Sequence, residues 1–210
     1  MNSVTLPGLT VLILAAGFSS RLGRPKALAR VRGVSLLRRT VMLAARLAPA
    51  RIQVVLPERA ARYRLEARGF PVNFVANQRR AEGLSSSVRA GIARSRSSSA
   101  LLLLPVDLAT LQPRELDRLT SRWQASRRRV IARRIVGRDE GQQGGVPLIL
   151  PRRLYARALQ VTGDIGLREL VATLPAEQRV LVELPSAASD VDTADGLRTA
   201  RRSPRARLNP

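Results

Sequence analysis

The chain has no cysteine and no histidine. Without cysteine it forms no disulfide, offers no thiolate nucleophile and builds no thiolate zinc site. Without histidine it lacks the usual general base near neutral pH and the commonest metal ligand. A metal must then be held by oxygen, which points to Mg²⁺ or Mn²⁺. Catalysis must rest on carboxylates, cations and backbone dipoles. Aromatic residues are only 3% of the 210, so the core has to be Leu, Val, Ile and Ala, and few rings are left on which nucleic-acid bases could stack. The apolar run over residues 9–16 is short and no Lys or Arg precedes it. It fits neither a secretory leader nor a membrane span, and the expectation is a cytoplasmic protein with no membrane partner.

Hydrophobic residues at 45% and a mean hydropathy near zero suit one globular domain, read as residues 1–200, with 201–210 as a frayed basic tail. The net charge of +22 invites a nucleic-acid reading. The excess is spread along the chain, however, and of the 37 basic residues 36 are Arg. A bias of that kind is compositional, and no specific nucleic acid is expected as a partner. Against it the single Lys, Lys26, stands out. A compact ammonium is not equivalent to a guanidinium fork where one phosphate oxygen is met as a point charge.

Apolar runs over residues 10–15, 51–56, 72–76, 100–106, 130–136, 146–150 and 179–184 read as strands. Helical patterns over 34–47, 58–68, 84–94, 113–125, 152–159, 164–174 and 192–201 alternate with them. Fully apolar strands between helices predict an α/β fold with a mostly parallel central sheet covered on both faces.

The segment Leu14-Ala15-Ala16-Gly17-Phe18-Ser19-Ser20-Arg21-Leu22-Gly23-Arg24-Pro25-Lys26 follows the first strand. In open α/β sheets ligands sit beyond the carboxyl ends of the strands. Glycines let several N–H groups converge on one anion, and three cations neutralise a polyphosphate; the plain alternative is a surface loop with ordinary arginines. Neither a Walker A loop nor G-x-G-x-x-G is present. The segment resembles the L-A-[AG]-G-x-S-x-R-[ML]-G-x-x-K signature of the MobA-like nucleotidyltransferases, and within them is most similar to the molybdenum cofactor cytidylyltransferases and their accessory-protein relatives. The resemblance runs through spaced motifs over residues 11–197. It implies a single Rossmann-like three-layer domain of the nucleotide-diphospho-sugar transferase type. It also implies that Leu14, Ala15, Ala16, Gly17, Ser19, Ser20 and Gly23 bind nucleotide, and that Arg21 and Lys26 steady the triphosphate.

Glu82-Gly83-Leu84-Ser85-Ser86-Ser87 opens a helix, where a serine N-cap is one reading. The resemblance adds Gly83, Ser85 and Ser86 to the nucleotide pocket, with Asn77 as a weaker candidate. Asp107 ends Leu101-Leu102-Leu103-Leu104-Pro105-Val106, placed either to hold Mg²⁺ at the mouth of a buried strand or to cap a turn. The family's G-D-x-P motif has its metal-binding Asp here, though the following proline is missing in Pro105-Val106-Asp107-Leu108-Ala109. Gly144-Gly145-Val146-Pro147 resembles a family G-x-P segment that often carries a histidine where Val146 stands. Gly163-Asp164-Ile165-Gly166-Leu167-Arg168 resembles G-D-x-G-x-R on the acceptor side. Gly145, Pro147, Asp164 and Arg168 are therefore acceptor candidates, with an N-cap at Asp164 as the alternative. Asp190-Val191-Asp192-Thr193-Ala194-Asp195 resembles D-I-D-T-P-x-D, in which Asp192 is a second metal ligand or the cap of the last helix.

These residues together imply an Mg²⁺-dependent nucleotidyltransferase. A phosphate oxygen of the acceptor attacks the α-phosphorus of a nucleoside triphosphate, and pyrophosphate leaves. An acceptor already anionic needs no strong base, in keeping with a chain devoid of His and Cys. By resemblance the acceptor is molybdopterin carrying molybdenum, the eventual recipient is a molybdenum hydroxylase apoenzyme, and the Ala15-Ala16-Gly17 form of the loop favours CTP. A guanylyltransferase, a sugar-phosphate nucleotidyltransferase, a basic nucleic-acid-binding protein and a non-catalytic accessory protein are the rival readings.

Overall fold

The computed structural model describes residues 5–19, 22–136, 142–163, 166–188, 191 and 193–206. Nine strands are described: β1 (Leu6–Leu14), β2 (Arg30–Val31), β3 (Val34–Ser35), β4 (Pro49–Leu56), β5 (Val72–Ala76), β6 (Ala100–Pro105), β7 (Val130–Val136), β8 (Gln142–Pro151) and β9 (Arg179–Val182). The α-helices are α1 (Leu36–Arg46), α2 (Ala61–Glu66), α3 (Leu84–Arg94), α4 (Pro113–Ala125), α5 (Tyr155–Leu159), α6 (Gly166–Ala172) and α7 (Ala194–Arg202). Seven of the described strands form one sheet in the order β5-β4-β1-β6-β8-β7-β9. β8 runs antiparallel to both of its neighbours, and the other pairings are parallel. The expected mostly parallel α/β sheet is what the chain forms.

Period-two alternation along apolar strands divides the core into two faces. Leu9, Val11 and Ile13 of β1 and Leu102 and Leu104 of β6 pack with Leu37 and Val41 of α1 and with Leu116, Leu119 and Trp123 of α4. Leu12, Leu14, Leu101 and Leu103 pack on the opposite face with Val88 and Ile92 of α3, Tyr155 of α5 and Leu170 of α6. Three layers result. Among the described residues no helix is long and apolar enough to cross a membrane.

The α3 layer lies so close to the sheet that Gly91 has no room for a side chain. A Cβ there would stand 2.2 Å from Leu12 Cδ2 and 2.5 Å from Leu12 Cδ1, in a core where Leu12 is fully buried. Gly91→Val should therefore destabilise by about 2–3 kcal/mol through overpacking. Urea unfolding measures this, and the Gly91→Val/Leu12→Ala pair should be less destabilised than the sum of its singles. A Gly91→Val loss below roughly 0.5 kcal/mol, the range of an ordinary surface change, would contradict the close approach.

Several boundaries differ from the sequence reading for local reasons. Val34 and Ser35 belong to a two-residue hairpin with β2, not to the helix, and Ser35 caps α1 by accepting from Arg38 N at 3.1 Å. β8 is longer than the run 146–150, because Gly144 and Gly145 are strand residues packed against their neighbours. A Cβ on Gly144 would lie 2.5 Å from Val171, and one on Gly145 2.3 Å from Ile135.

The expected frayed tail is corrected over residues 201–206, while 207–210 lie outside the described residues. α7 continues through Arg202, and the turn Pro204–Ala206 docks with Ala206 fully buried. Arg39, only 4% exposed, donates to Ala206 O at 2.7 Å and to Ala109 O at 3.1 Å. Burial, with Arg32 nearby, lowers the pKa of this guanidinium below its ordinary value. A buried arginine is tolerable only when its donors are met, and here two backbone carbonyls meet them.

Candidate active site

The strand order fixes where a ligand can sit. β1 leads through α1 to β4 on one side, while β6, on the other side of β1, leads away through α4. Crevices beyond the carboxyl ends of strands at such a reversal are where open α/β sheets bind ligands. Leu14 and Pro105, the last residues of β1 and β6, are in register, so the loops that follow them start side by side. One loop carries Lys26 and the other Asp107.

Lys26 Nζ donates to Asp107 Oδ2 at 3.0 Å, with side-chain exposures of 16% and 23%. The separation puts amine and carboxylate on the same side of the molecule, the arrangement that the sequence reading requires. Each loop is pinned locally. Ser19 adopts a positive φ of 56°, uncommon for a non-glycine residue. Its Oγ accepts from Lys26 N at 2.9 Å and its carbonyl accepts from Leu22 N at 3.0 Å. The serine hydroxyl thereby fixes where the lysine leaves the loop. The Asp107 carbonyl accepts from Ala109 N at 2.9 Å and from Val191 N at 3.1 Å, and Arg39 holds the neighbouring Ala109 carbonyl. Val191 thus lies against the Asp107 loop.

Between these loops lies a cavity of about 350 Å³. Leu14, Ala15, Ala16, Gly17, Ser19 and Lys26 line it, as do Gly83 and Asp107, all of them sequence candidates. Phe18, Ala27, Arg80, Ala81, Leu84, Ser87, Pro105 and Val106 complete the wall. A Cβ at Gly17 would meet nothing within 4 Å. Gly83 adopts φ +85° and is the N-cap of α3. The serine N-cap is corrected here: the backbone turns in the left-handed region, where only glycine sits without strain, and Ser86 Oγ instead donates to Gly83 O at 2.7 Å.

Ser85 and Ser86 are buried beneath the cavity wall and do not line it. Asn77, 3% exposed, donates through Nδ2 to Ser86 Oγ at 2.8 Å and to Ser87 Oγ at 3.0 Å, and its Oδ1 accepts from Arg79 N at 2.9 Å. It supports the wall from behind. Gly23, at φ +67°, lies in the turn before Lys26 and not in the wall. Gly145 and Pro147 are buried in β8, and Arg168 of α6 approaches Gly145, its Nε 3.8 Å from where a Cβ would stand. These three are together, but outside the cavity lining. Ser20, Arg21, Asp164 and Asp192 lie outside the described residues. The cap of α7 is Thr193, whose Oγ1 accepts from Gly196 N at 3.1 Å, which corrects the reading of Asp192 as that cap.

Sequence reasoning missed Arg80, Phe18 and Ser87 in the wall and Arg39 behind it. Arg39 had a signal: it shares a helical face with buried Leu36 and Leu43, a place where a charge is uncommon. Arg80 had none, being one of many arginines.

The MobA-like NTP transferase domain model matches residues 11–180. The chain belongs to this family. As a MobA-like NTP transferase it is a nucleotidyltransferase by class. It is similar to the nicotine blue oxidoreductase of Paenarthrobacter nicotinovorans, 29% identical over 202 residues that cover 93% of this chain and 97% of that one. Among solved structures it is similar to Rv0371c of Mycobacterium tuberculosis H37Rv, with 25% identity, a TM-score of 0.76 and coverage of 95% and 100%. A structure of Rv0371c in complex with manganese superposes at a TM-score of 0.72 with 23% identity, covering 93% and 98%. The fold is also that of the molybdopterin-guanine dinucleotide biosynthesis protein A of Archaeoglobus fulgidus, with 13% identity, a TM-score of 0.66 and coverage of 91% and 96%.

Proposed function

We propose that this MobA-like NTP transferase moves a CMP group from CTP to a phosphorylated acceptor of the molybdopterin type, releasing pyrophosphate. The observation that carries the reading is the Lys26–Asp107 pair at the mouth of adjacent strands, facing a cavity walled by the loop after β1. One carboxylate opening onto a phosphate-sized cavity is a donor set suited to Mg²⁺, which is commonly bound by one or two carboxylates plus substrate phosphates; Mn²⁺ suits it equally. Asp107, with Asp192 as a second ligand, would hold the ion, which when bound neutralises phosphate charge.

The protein's own part is positioning. Backbone N–H groups around Gly17 and Ser19 and the Lys26 ammonium hold the triphosphate, with Arg21, Ser20 and Gly23 completing the loop. Ala15, Ala16, Gly83, Ser85, Ser86 and Asn77 shape the side that takes ribose and base. Gly145, Pro147, Asp164 and Arg168 present the acceptor, whose phosphate oxygen forms a bond to the α-phosphorus as the bond to the β-phosphate oxygen breaks. The acceptor oxygen carries no proton at neutral pH, so alignment and charge neutralisation suffice. A molybdenum hydroxylase apoenzyme receiving the product in the cytoplasm completes the reading.

Thermal shift tests the nucleotide. With Mg²⁺ and CTP at a hundredfold excess over Kd, the melting temperature should rise by roughly 5–10 °C, and by less with GTP. Equal shifts would remove the cytidylyl assignment, and no shift with either would remove the nucleotide. The near full-length likeness to a protein named as an oxidoreductase carries a second reading: the same loop holds the pyrophosphate of a dinucleotide hydride donor. Stabilisation by a reduced nicotinamide dinucleotide, without Mg²⁺ and in preference to CTP, would select it.

A further inference from the structure

The two lips of the cavity are chemically unlike. On one, the loop after β1 projects Phe18, a residue 56% exposed and an odd one to hold in water on a loop of small and polar neighbours. On the other, the turn Arg80–Glu82 precedes α3. The Arg80 guanidinium lies over the Phe18 ring, 4.1 Å from its centroid, so the contact spans the mouth. Both side chains line the cavity.

The turn itself is anchored. Arg89 donates to Val161 O at 2.7 Å, to Ser85 Oγ at 3.2 Å and to the Glu82 carboxylate, tying the second lip to α3 and to the loop after α5. Its backbone is held while the Arg80 side chain rests on a ring. An exposed cation–π contact is among the weaker polar contacts, and a guanidinium exchanges it for a phosphate with two parallel hydrogen bonds. Charge points the same way. Among the described residues lining the cavity the cations are Lys26 and Arg80 and the acid is Asp107. Lys26 is paired with that acid, so the wall carries one net positive charge against a polyphosphate that brings several negative ones.

We infer that Arg80 is a further polyphosphate-binding cation, held at the cavity mouth on the Phe18 ring and closing onto the phosphates from the lip opposite Lys26. The inference rests on the nucleotide reading of the cavity. It assigns Phe18 as a positioning residue: an aromatic at that place parks the guanidinium within reach of the bound anion and reduces the side-chain freedom lost on binding.

Isothermal titration of CTP, GTP and inorganic pyrophosphate, each with Mg²⁺, tests it on the intact protein without an acceptor. Arg80→Ala should weaken all three about tenfold, because the contact is to phosphate and not to base. Arg80→Lys should recover part of the loss. Phe18→Ala should weaken binding in the same direction by a smaller factor, and Phe18→Trp should restore it, which a merely structural role for the ring would not predict. Unchanged melting temperatures would separate these effects from folding. Arg80→Ala within twofold of the wild type for all three overturns the inference. A loss for the nucleotides without one for pyrophosphate overturns the phosphate assignment. A wild type that binds none of the three fails at the nucleotide reading itself and takes this inference with it.

Discussion

Asp107→Asn should lower kcat about a thousandfold, equivalent to about 4 kcal/mol of transition-state stabilisation, while the protein should melt within a few degrees of the wild type. The amide keeps the shape of the carboxylate and loses the charge. Asp107 is held from behind by bonds to its backbone carbonyl from Ala109 N and Val191 N, so its loop does not depend on the side chain. The side chain's ion pair with Lys26 is partly open to solvent, and pairs of that kind contribute only about 0–1 kcal/mol to stability. A large loss of rate beside a small loss of stability marks a group whose work is done on the ligand. Steady-state rates with Mg²⁺ beside a melting curve measure both. A kcat within a few-fold of wild type would place the metal elsewhere.

The second large effect concerns the one lysine. Lys26→Ala should lower kcat/KM for the nucleotide by about a hundredfold or more, the range seen when one preorganised charge donor is removed. Lys26→Arg should recover at most about a tenfold part of it. The position is fixed by the Ser19 hydroxyl on the Lys26 backbone, and a planar guanidinium extended from that point meets the phosphate with a different reach and geometry. In a chain whose other basic residues are arginines, full rescue by Arg would mean that the lysine is accidental. Failure of rescue would mean that the ammonium is required. Pyrophosphate release at several nucleotide concentrations separates kcat from KM.

Where the sequence was legible, local signals and tertiary packing agreed. β5, α3, α4 and β7 lie on the predicted boundaries because apolar period, Pro at the start of α4 and glycine before α3 all point one way. The loop from β1 to Lys26 could be read as a candidate site because it is contiguous, and Asp107 because it follows a leucine-rich strand; the structure brings both to one cavity. The facing of Lys26 and Asp107 needed one further step, the parallel register of Leu14 with Pro105, which strand order supplies.

What stayed hidden depends on long-range partners. The β2–β3 hairpin has two residues per strand, too few for a period to register. Gly144 and Gly145 fall outside the strand predicted at 146–150 because nothing local reveals Val171 and Ile135 against them. Residues 201–206 read as part of a frayed basic tail because their anchor is a single buried alanine and two carbonyls, those of Arg205 and Ala206, which accept from Gln112 and Arg39. The contact between Arg80 and Phe18 joins residues far apart in sequence, and neither residue type marks it.

The central claim, that the loop after β1 and the acid after β6 share one metal-bound polyphosphate, is tested most directly by a crystal structure with Mn²⁺ and a non-hydrolysable CTP analogue. The anomalous signal of manganese should fall within direct coordination distance of the Asp107 carboxylate and of phosphate oxygens, with the Lys26 ammonium on the same triphosphate. A manganese peak away from Asp107, or a nucleotide bound outside the cavity between Lys26 and Gly83, would contradict it.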